Sequence, residues 1–95
     1  SSDYNLMTSF SIYMAKIIKI KVKERKLRDY HGYAYPERKD KLIEINSRLS
    51  DRTYLGTLIH EILHILYPEE SETRIDINAS TITHYVLKKG TWSKK

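Results

Sequence analysis

The run TLIHEILHILYPEESE, residues 57–72, places two histidines four residues apart in a stretch of isoleucine and leucine and then closes on acid. Taking about 100° per residue and setting His60 at zero, His64 falls at about 40°, while Leu55, Leu58, Ile59, Ile62, Ile65 and Leu66 spread around about 210°. The two imidazoles therefore share one helix face, opposite the main apolar stripe. Thr53, Gly56 and Tyr67 fall on the imidazole side, at about 20°, 320° and 340°. Such a strip of small or polar groups can line a cleft while the other side packs beneath a sheet.

His60-Glu61-x-x-His64 is the HExxH spacing. Ring nitrogens one turn apart can both reach a tetrahedral Zn²⁺ at about 2.0–2.1 Å. Glu61, beside the first ligand, can hold the attacking water and accept its proton. The pattern also arises by chance in helices whose histidines are ordinary core or surface groups. Two features favour metal here: the histidines interrupt a buried-looking helix with no acidic partner one turn away, and a third ligand follows at once.

Glu69, Glu70, Glu72, Asp76 and His84 compete for that third place. On a second helix with Glu72 at zero, Ile75, Ala79, Ile82 and Val86 fall between about 280° and 340°, which puts Glu72 within about 50° of the inward stripe. His84, near 120°, reads as a solvated surface group, and Glu69 and Glu70 belong to the turn. Glu72 is the preferred ligand and Asp76, near 40°, the back-up. Without a metal, Glu72 would be only a first-turn acid favoured by the helix dipole. Two histidines and one glutamate form the ligand set of thermolysin-type catalytic zinc sites, and they leave the fourth position open for water.

Upstream, KIIKIKVKERKLR, residues 16–28, alternates around Lys19, Ile20, Lys21, Val22 and Lys23, which predicts a strand with a basic outer face. A second run over 30–35, breakers over 36–41 and a short apolar strand over 42–45 predict a hairpin, with Gly32 allowing a bulge or a close backbone approach. Ser50 or Asp51 can cap a helix to about residue 67, where Pro68 stops it. Ser71 caps the next, to about residue 89, with Lys88 and Lys89 in its last turn and Gly90 just beyond. Before Lys16, weak helical spacing at Leu6, Phe10, Tyr13 and Met14 predicts a short helix or a loosely held arm. The division is thus an arm over 1–15 and one domain over 16–95, with three strands before two helices.

The 95 residues are 40% apolar and 31% charged, with eight tyrosines, one phenylalanine and no cysteine. That composition suits a globular domain with a thin core and no disulfide staple, for which a bound metal is another source of stability. No apolar run approaches the about 20 residues of a membrane span, and SSDYNLMTSF lacks the build of a secretory signal. The expectation is a soluble cytoplasmic protein with no membrane partner. Residues 1–50 carry eleven basic and six acidic side chains and residues 51–95 six of each, so the net charge of +5 sits in the first half.

With the strand hairpin, LIEIN, TLIHEILH and PEESE in this order, residues 16–90 resemble the gluzincin side of the zincin metallopeptidases. The chain's brevity makes it similar to the very short archaeal minigluzincins, and its Lys-, Ile- and Tyr-rich composition suits a thermophile. The resemblance implies an α+β fold: a small antiparallel sheet of about three strands over an active-site helix and a C-terminal glutamate helix. It implies one Zn²⁺ ion held by His60, His64 and Glu72, and hydrolysis of peptide bonds by zinc-activated water with Glu61 as its base. Leu42, Ile43, Glu44, Ile45 and Asn46 would bind the peptide or protein substrate as an added strand. Larger zincins also supply a His or Tyr to the oxyanion, for which Tyr67, Tyr35 and His31 are the candidates here. The resemblance brings latency too, with residues 1–15 filling the cleft in cis or in trans and Asp3 or a nearby carbonyl reaching the metal.

Two other functions compete. Seven basic residues against one acidic between Lys16 and Arg28, followed by tyrosines, would fit a nucleic-acid module. Such runs are more often the solvated face of a strand, so nucleic acid is not the expected partner. The other rival is a structural zinc domain whose metal supplies stability without catalysis.

Overall fold

The computed structural model describes residues 17–90 and 92–94; residues 1–15, with Asp3, lie outside the described part. Strand β1 spans Lys21–Arg25, β2 Gly32–Tyr35 and β3 Leu42–Asn46; helix α1 spans Asp51–Leu66 and α2 Glu72–Lys88. The chain is α+β, with one three-stranded sheet packed on α1 and α2 packed against α1. No helix among the described residues is long and apolar enough to cross a membrane.

The strand with the most apolar sequence takes the centre. The sheet order is β1-β3-β2, and Leu42, Ile43 and Ile45 of β3 are 6%, 0% and 0% exposed. The hairpin expected between residues 30 and 45 forms, with Gly32 opposite Ile45 and Tyr35 opposite Leu42. β1 adds to the other edge of β3 in parallel, Lys21 opposite Leu42 and Arg25 opposite Asn46. The sheet is therefore mixed rather than wholly antiparallel. β2 reverses the chain against β3, so β1, running opposite to β2 and placed on the far edge, runs the same way as β3.

Register then sorts the side chains. Val22, Glu24, Ile43, Ile45, Gly32 and Ala34 face the helices, while Lys21, Lys23, Arg25, Glu44, Tyr33 and Tyr35 face outward. The basic outer face of β1 is as predicted, but its apolar side is thin, and Val22 remains 43% exposed. On the outer face Arg25 Nη1 and the Tyr35 hydroxyl donate to Glu44, at 2.6 and 2.8 Å. Asn46 ties down the β1–β2 connection: its Nδ2 donates to the Leu27 and Tyr30 carbonyls at 2.8 and 3.2 Å, and its N–H to the His31 carbonyl at 2.8 Å.

Ile43, Ile45, Tyr54 and Ile65 form the core, joined by Ile20, Ala34, Leu49, Leu58, Ile62 and Trp92. Tyr54 spans it: its ring stacks on Trp92 at 6.2 Å, and its hydroxyl donates to Glu24 at 2.8 Å. Burial and this acceptor push the Tyr54 phenol up to about 12. α1 buries a wider arc than its leucine and isoleucine stripe, since Thr57 and Glu61 lie under the sheet at 8% exposure each while Leu66 is 38% exposed. It packs against the sheet and α2 together, so one face cannot remain polar and open along its whole length.

The helix ends follow the sequence, although the Ser50 side chain makes no cap hydrogen bond. Ser50 stands at the N-cap of α1, and the Tyr67 N–H closes its last turn on the Leu63 carbonyl. The Ser71 hydroxyl accepts from the Arg74 N–H at 3.2 Å, and Gly90, at φ 67°, follows the end of α2. The inward row of α2 is Ile75, Ala79 and Thr83, whereas Ile82, expected there, is 42% exposed. Small Ala79 and Thr83 let α2 approach α1 at Gly56, and this turns the inward face towards Glu72 and Asp76.

Hydrogen bonds from Arg25 and then Tyr35 hold the Glu44 carboxyl below the usual carboxylate range, against burial, which pushes it up. A carboxyl lowered on folding contributes stability that is fully present above its unfolded pKa of about 4.3 and is lost as pH falls through the folded value. Glu44→Gln is expected to lower the urea midpoint at pH about 7 and to lose less than the parent between pH about 6 and about 3. Denaturation of both proteins across that range measures the difference.

Candidate metal centre

Helix geometry sets the first two donors. His60 and His64 lie one turn apart on α1, with ring centroids 4.7 Å apart and Nε2 atoms 3.2 Å apart. The third comes from the first residue of α2. The turn over 67–71 reverses the chain, the Ser71 cap fixes where α2 starts, and the Glu72 carboxylate then faces both rings. Its Oε1 lies 2.8 Å from His60 Nε2 and its Oε2 3.1 Å from His64 Nε2. Asp76, one turn on, also reaches His60 Nε2, at 3.2 Å. Glu72 bridges both imidazoles, whereas Asp76 meets one.

These separations test the fit of a metal. Donors 2.0–2.1 Å from a tetrahedral centre stand about 3.3 Å from one another. The three side chains each offer a ligand atom within 4.8 Å of the others, and their closest approaches run from 2.8 to 3.2 Å. Two neutral imidazoles with Nε2 facing Nε2 have at most one proton to share on that contact, and the carboxylate brings none. A cation at their common focus satisfies all three donors, and the set suits zinc. The imidazoles are half-buried, at 26% and 24% side-chain exposure, while Glu72 is 62% exposed, so the focus opens to solvent.

Electrostatics separates the two glutamates. Burial is the largest influence on Glu72 and raises its pKa, but the hydrogen bonds and charges of His60 and His64 together outweigh it, leaving the carboxyl below its ordinary value. Glu61 moves the other way: burial raises it, the histidine charges only partly offset that, and Glu72 adds to the rise. Glu61 Oε2 is 3.7 Å from His60 Nδ1, so the carboxylate stands beside the three candidate donors without being one of them.

A cleft of about 360 Å³ opens over this centre. Its floor is His60, Glu61, His64, Pro68 and Glu72, and its upper rim is Tyr30, Gly32, Tyr33, Ala34 and Pro36. Gly32 makes the close approach expected of it. A Cβ there would stand 2.7 Å from Thr57 Cγ2, 3.0 Å from the Glu44 carbonyl oxygen and 3.4 Å from Glu61 Cγ. Glycine thus allows β2 to lie directly on α1 above the general-base candidate.

The expected substrate strand needs correction. Leu42, Ile43, Glu44, Ile45 and Asn46 are paired along both edges, by β1 and β2, and an extended peptide has no free backbone there to join. Glu44 is committed to Arg25 and Tyr35, and Asn46 to the β1–β2 connection. β2 carries the edge beside the cleft that is unpaired among the described residues. Gly32 was the signal for this, a glycine in an aromatic strand that is needed only if another element presses against it.

None of the three oxyanion candidates lines the cleft. The Tyr35 hydroxyl is taken by Glu44 on the outer face, Tyr67 is 56% exposed at the end of α1, and His31 lies before β2 with its carbonyl receiving Asn46. Tyr30 and Tyr33, which no motif singles out, do line it, with rings edge to face at 5.0 Å. His84 and Glu69 are exposed as expected, and Glu70 pairs with Arg74 at 3.4 Å.

A family model described as the IrrE N-terminal-like domain, Peptidase_M78, matches residues 15–87. Neither curated proteins nor solved structures give a significant match. The matched span runs from just before the sheet to the last turn of α2 and includes His60, Glu61, His64 and Glu72.

Gly32→Ala is expected to destabilise the fold by about 1–3 kcal/mol, because the added methyl forces β2 off α1. Thr57→Ser removes the nearer contact but leaves the Glu44 backbone, so it should restore only part of the loss. Thermal unfolding of the single and double variants measures both, and full recovery would place the strain on Thr57 alone.

Proposed function

The chain belongs to the IrrE N-terminal-like domain family, Peptidase_M78, and on that premise we propose that it is a zinc-dependent peptidase of the zincin type. His60, His64 and Glu72 hold the metal, and Glu61 is the general base. The observation that carries this is the meeting of two imidazole nitrogens and a carboxylate within 2.8–3.2 Å, with a second, buried carboxylate beside them. A zinc ion held there supplies the Lewis acidity that polarises a carbonyl and acidifies water.

The chain's own residues do the rest. Glu61 accepts the proton of the attacking water and passes it to the departing amine. The edge of β2 offers backbone groups to an extended peptide, which docks antiparallel to Gly32–Tyr35 across the cleft. Tyr30 and Tyr33 flank that path. Lys21, Lys23 and Arg25 face away from the helices, so any nucleic-acid binding by that basic face should survive His60→Ala. Latency through residues 1–15, with Asp3 reaching the metal, belongs to the same proposal. It is supported by a centre open enough to admit a segment of chain.

Metal analysis of the parent and of His64→Ala should give about one zinc per chain and almost none, respectively. Glu61→Gln should keep the zinc and lower peptide hydrolysis by about 10²–10⁴-fold. A parent that binds zinc stoichiometrically and hydrolyses no peptide, even when shortened to start at Ala15, would instead have a structural metal. A gain of activity on that shortening is the expected sign of latency.

A further inference from the structure

A second groove, of about 310 Å³, runs from His60 along the junction of α1 and α2 towards the start of α1. Gly56 and Ala79 are among its small lining residues, Thr53, Ser80 and Thr83 supply hydroxyls, and Arg52 stands at its outer end. Thr83 is 7% exposed and its hydroxyl has no hydrogen-bond partner among the described residues. A Cβ on Gly56 would lie 3.6 Å from that oxygen, so the hydroxyl is turned to the space that Gly56 leaves open. Thr81, on the same helix, satisfies its hydroxyl on the Ile77 carbonyl at 2.7 Å. An unpaired hydroxyl buried in a groove points to a ligand that pairs with it.

The chemistry of that ligand follows from the lining. Arg52 makes no ion pair among the described residues, and it lies in the first turn of α1, where the helix dipole favours negative charge. Asp76, the acid in the lining, is turned to His60 at the opposite end. Direction comes from β2. Gly32 lies over Thr57, and Pro36 shares the cleft wall with Pro68, so β2 runs in the same sense as α1. A peptide antiparallel to β2 runs the other way, and its segment on the C-terminal side of the scissile bond enters this groove.

We propose that the groove bounded by Arg52, Thr53, Gly56, Ser80 and Thr83 is a carboxylate-selecting subsite for the C-terminal side of the bound peptide. The carboxylate belongs to an acidic side chain or to the peptide's own terminus. Arg52 meets the charge and Thr83 donates to it. Its role in specificity rests on the peptidase reading, but binding in the groove is measured without turnover.

The zinc-loaded full chain is titrated by amide NMR with three probes. N-acetyl-glutamate α-amide carries a side-chain carboxylate, N-acetyl-alanine a terminal one, and N-acetyl-alaninamide none. At least one carboxylate probe should shift the Gly56 and Thr83 amides and bind about fivefold or more tightly than the neutral probe. The tighter of the two identifies the source of the charge. Arg52→Gln should erase that preference and Thr83→Val should weaken it, with zinc content unchanged in both. Equal binding of all three probes, no binding, or a preference that survives Arg52→Gln because the carboxylate sits on the metal overturns the subsite. Loss of peptide hydrolysis with the preference intact overturns the peptidase reading alone.

Discussion

Two imidazole nitrogens and a carboxylate meet within 2.8–3.2 Å of one another, and much of the fold bears on how they come together. His60 and His64 are fixed by helical spacing alone. Glu72 is not, because it sits across a chain reversal, and its position depends on where α2 begins. The Ser71 cap sets that start, and the burial of Ile75 and Ala79 against α1 keeps α2 from rolling away. A five-residue turn and one hydroxyl thus decide whether the third donor meets the other two.

The sheet closes the centre from above. β3 anchors the core through Ile43 and Ile45, and β2 rests on α1 because Gly32 has no side chain to hold it off. That contact buries Glu61 and gives its carboxyl a higher proton affinity than an ordinary surface glutamate. Among the described residues the same strand keeps its far edge unpaired beside the cleft. One glycine therefore sets both the burial of Glu61 and the placement of the strand edge beside the cleft.

Features carried by local spacing were legible in the sequence. HExxH, the Ser71 cap, Pro68 and Gly90 fix their consequences within a turn or two of helix, and the alternation of β1 and the hairpin over 30–45 are equally local. Strand order is not a local property. LIEIN reads as the strand nearest α1 in sequence, yet its apolar content draws it to the middle of the sheet and leaves the edge to GYAY. Helix faces were readable to about one residue row. The stripe through Ile82 was displaced to one through Thr83 because Gly56 and Ala79 permit close packing, a fact of two helices together rather than of either alone. The tie between Tyr54 and Trp92 and the clamp at Asn46 link residues far apart in the chain, beyond any periodic pattern.

The parallel pairing of β1 with β3 also orders the events of folding. β1 is made first, but its partner lies some twenty residues later and is itself half of a hairpin that closes locally. During synthesis β1 must wait, with an unpaired backbone, until residues 42–46 have appeared. An apolar strand in that position would seek other partners. Lys21, Lys23 and Arg25 keep this one solvated until β3 arrives, and afterwards they guard the outer edge of the sheet against another chain.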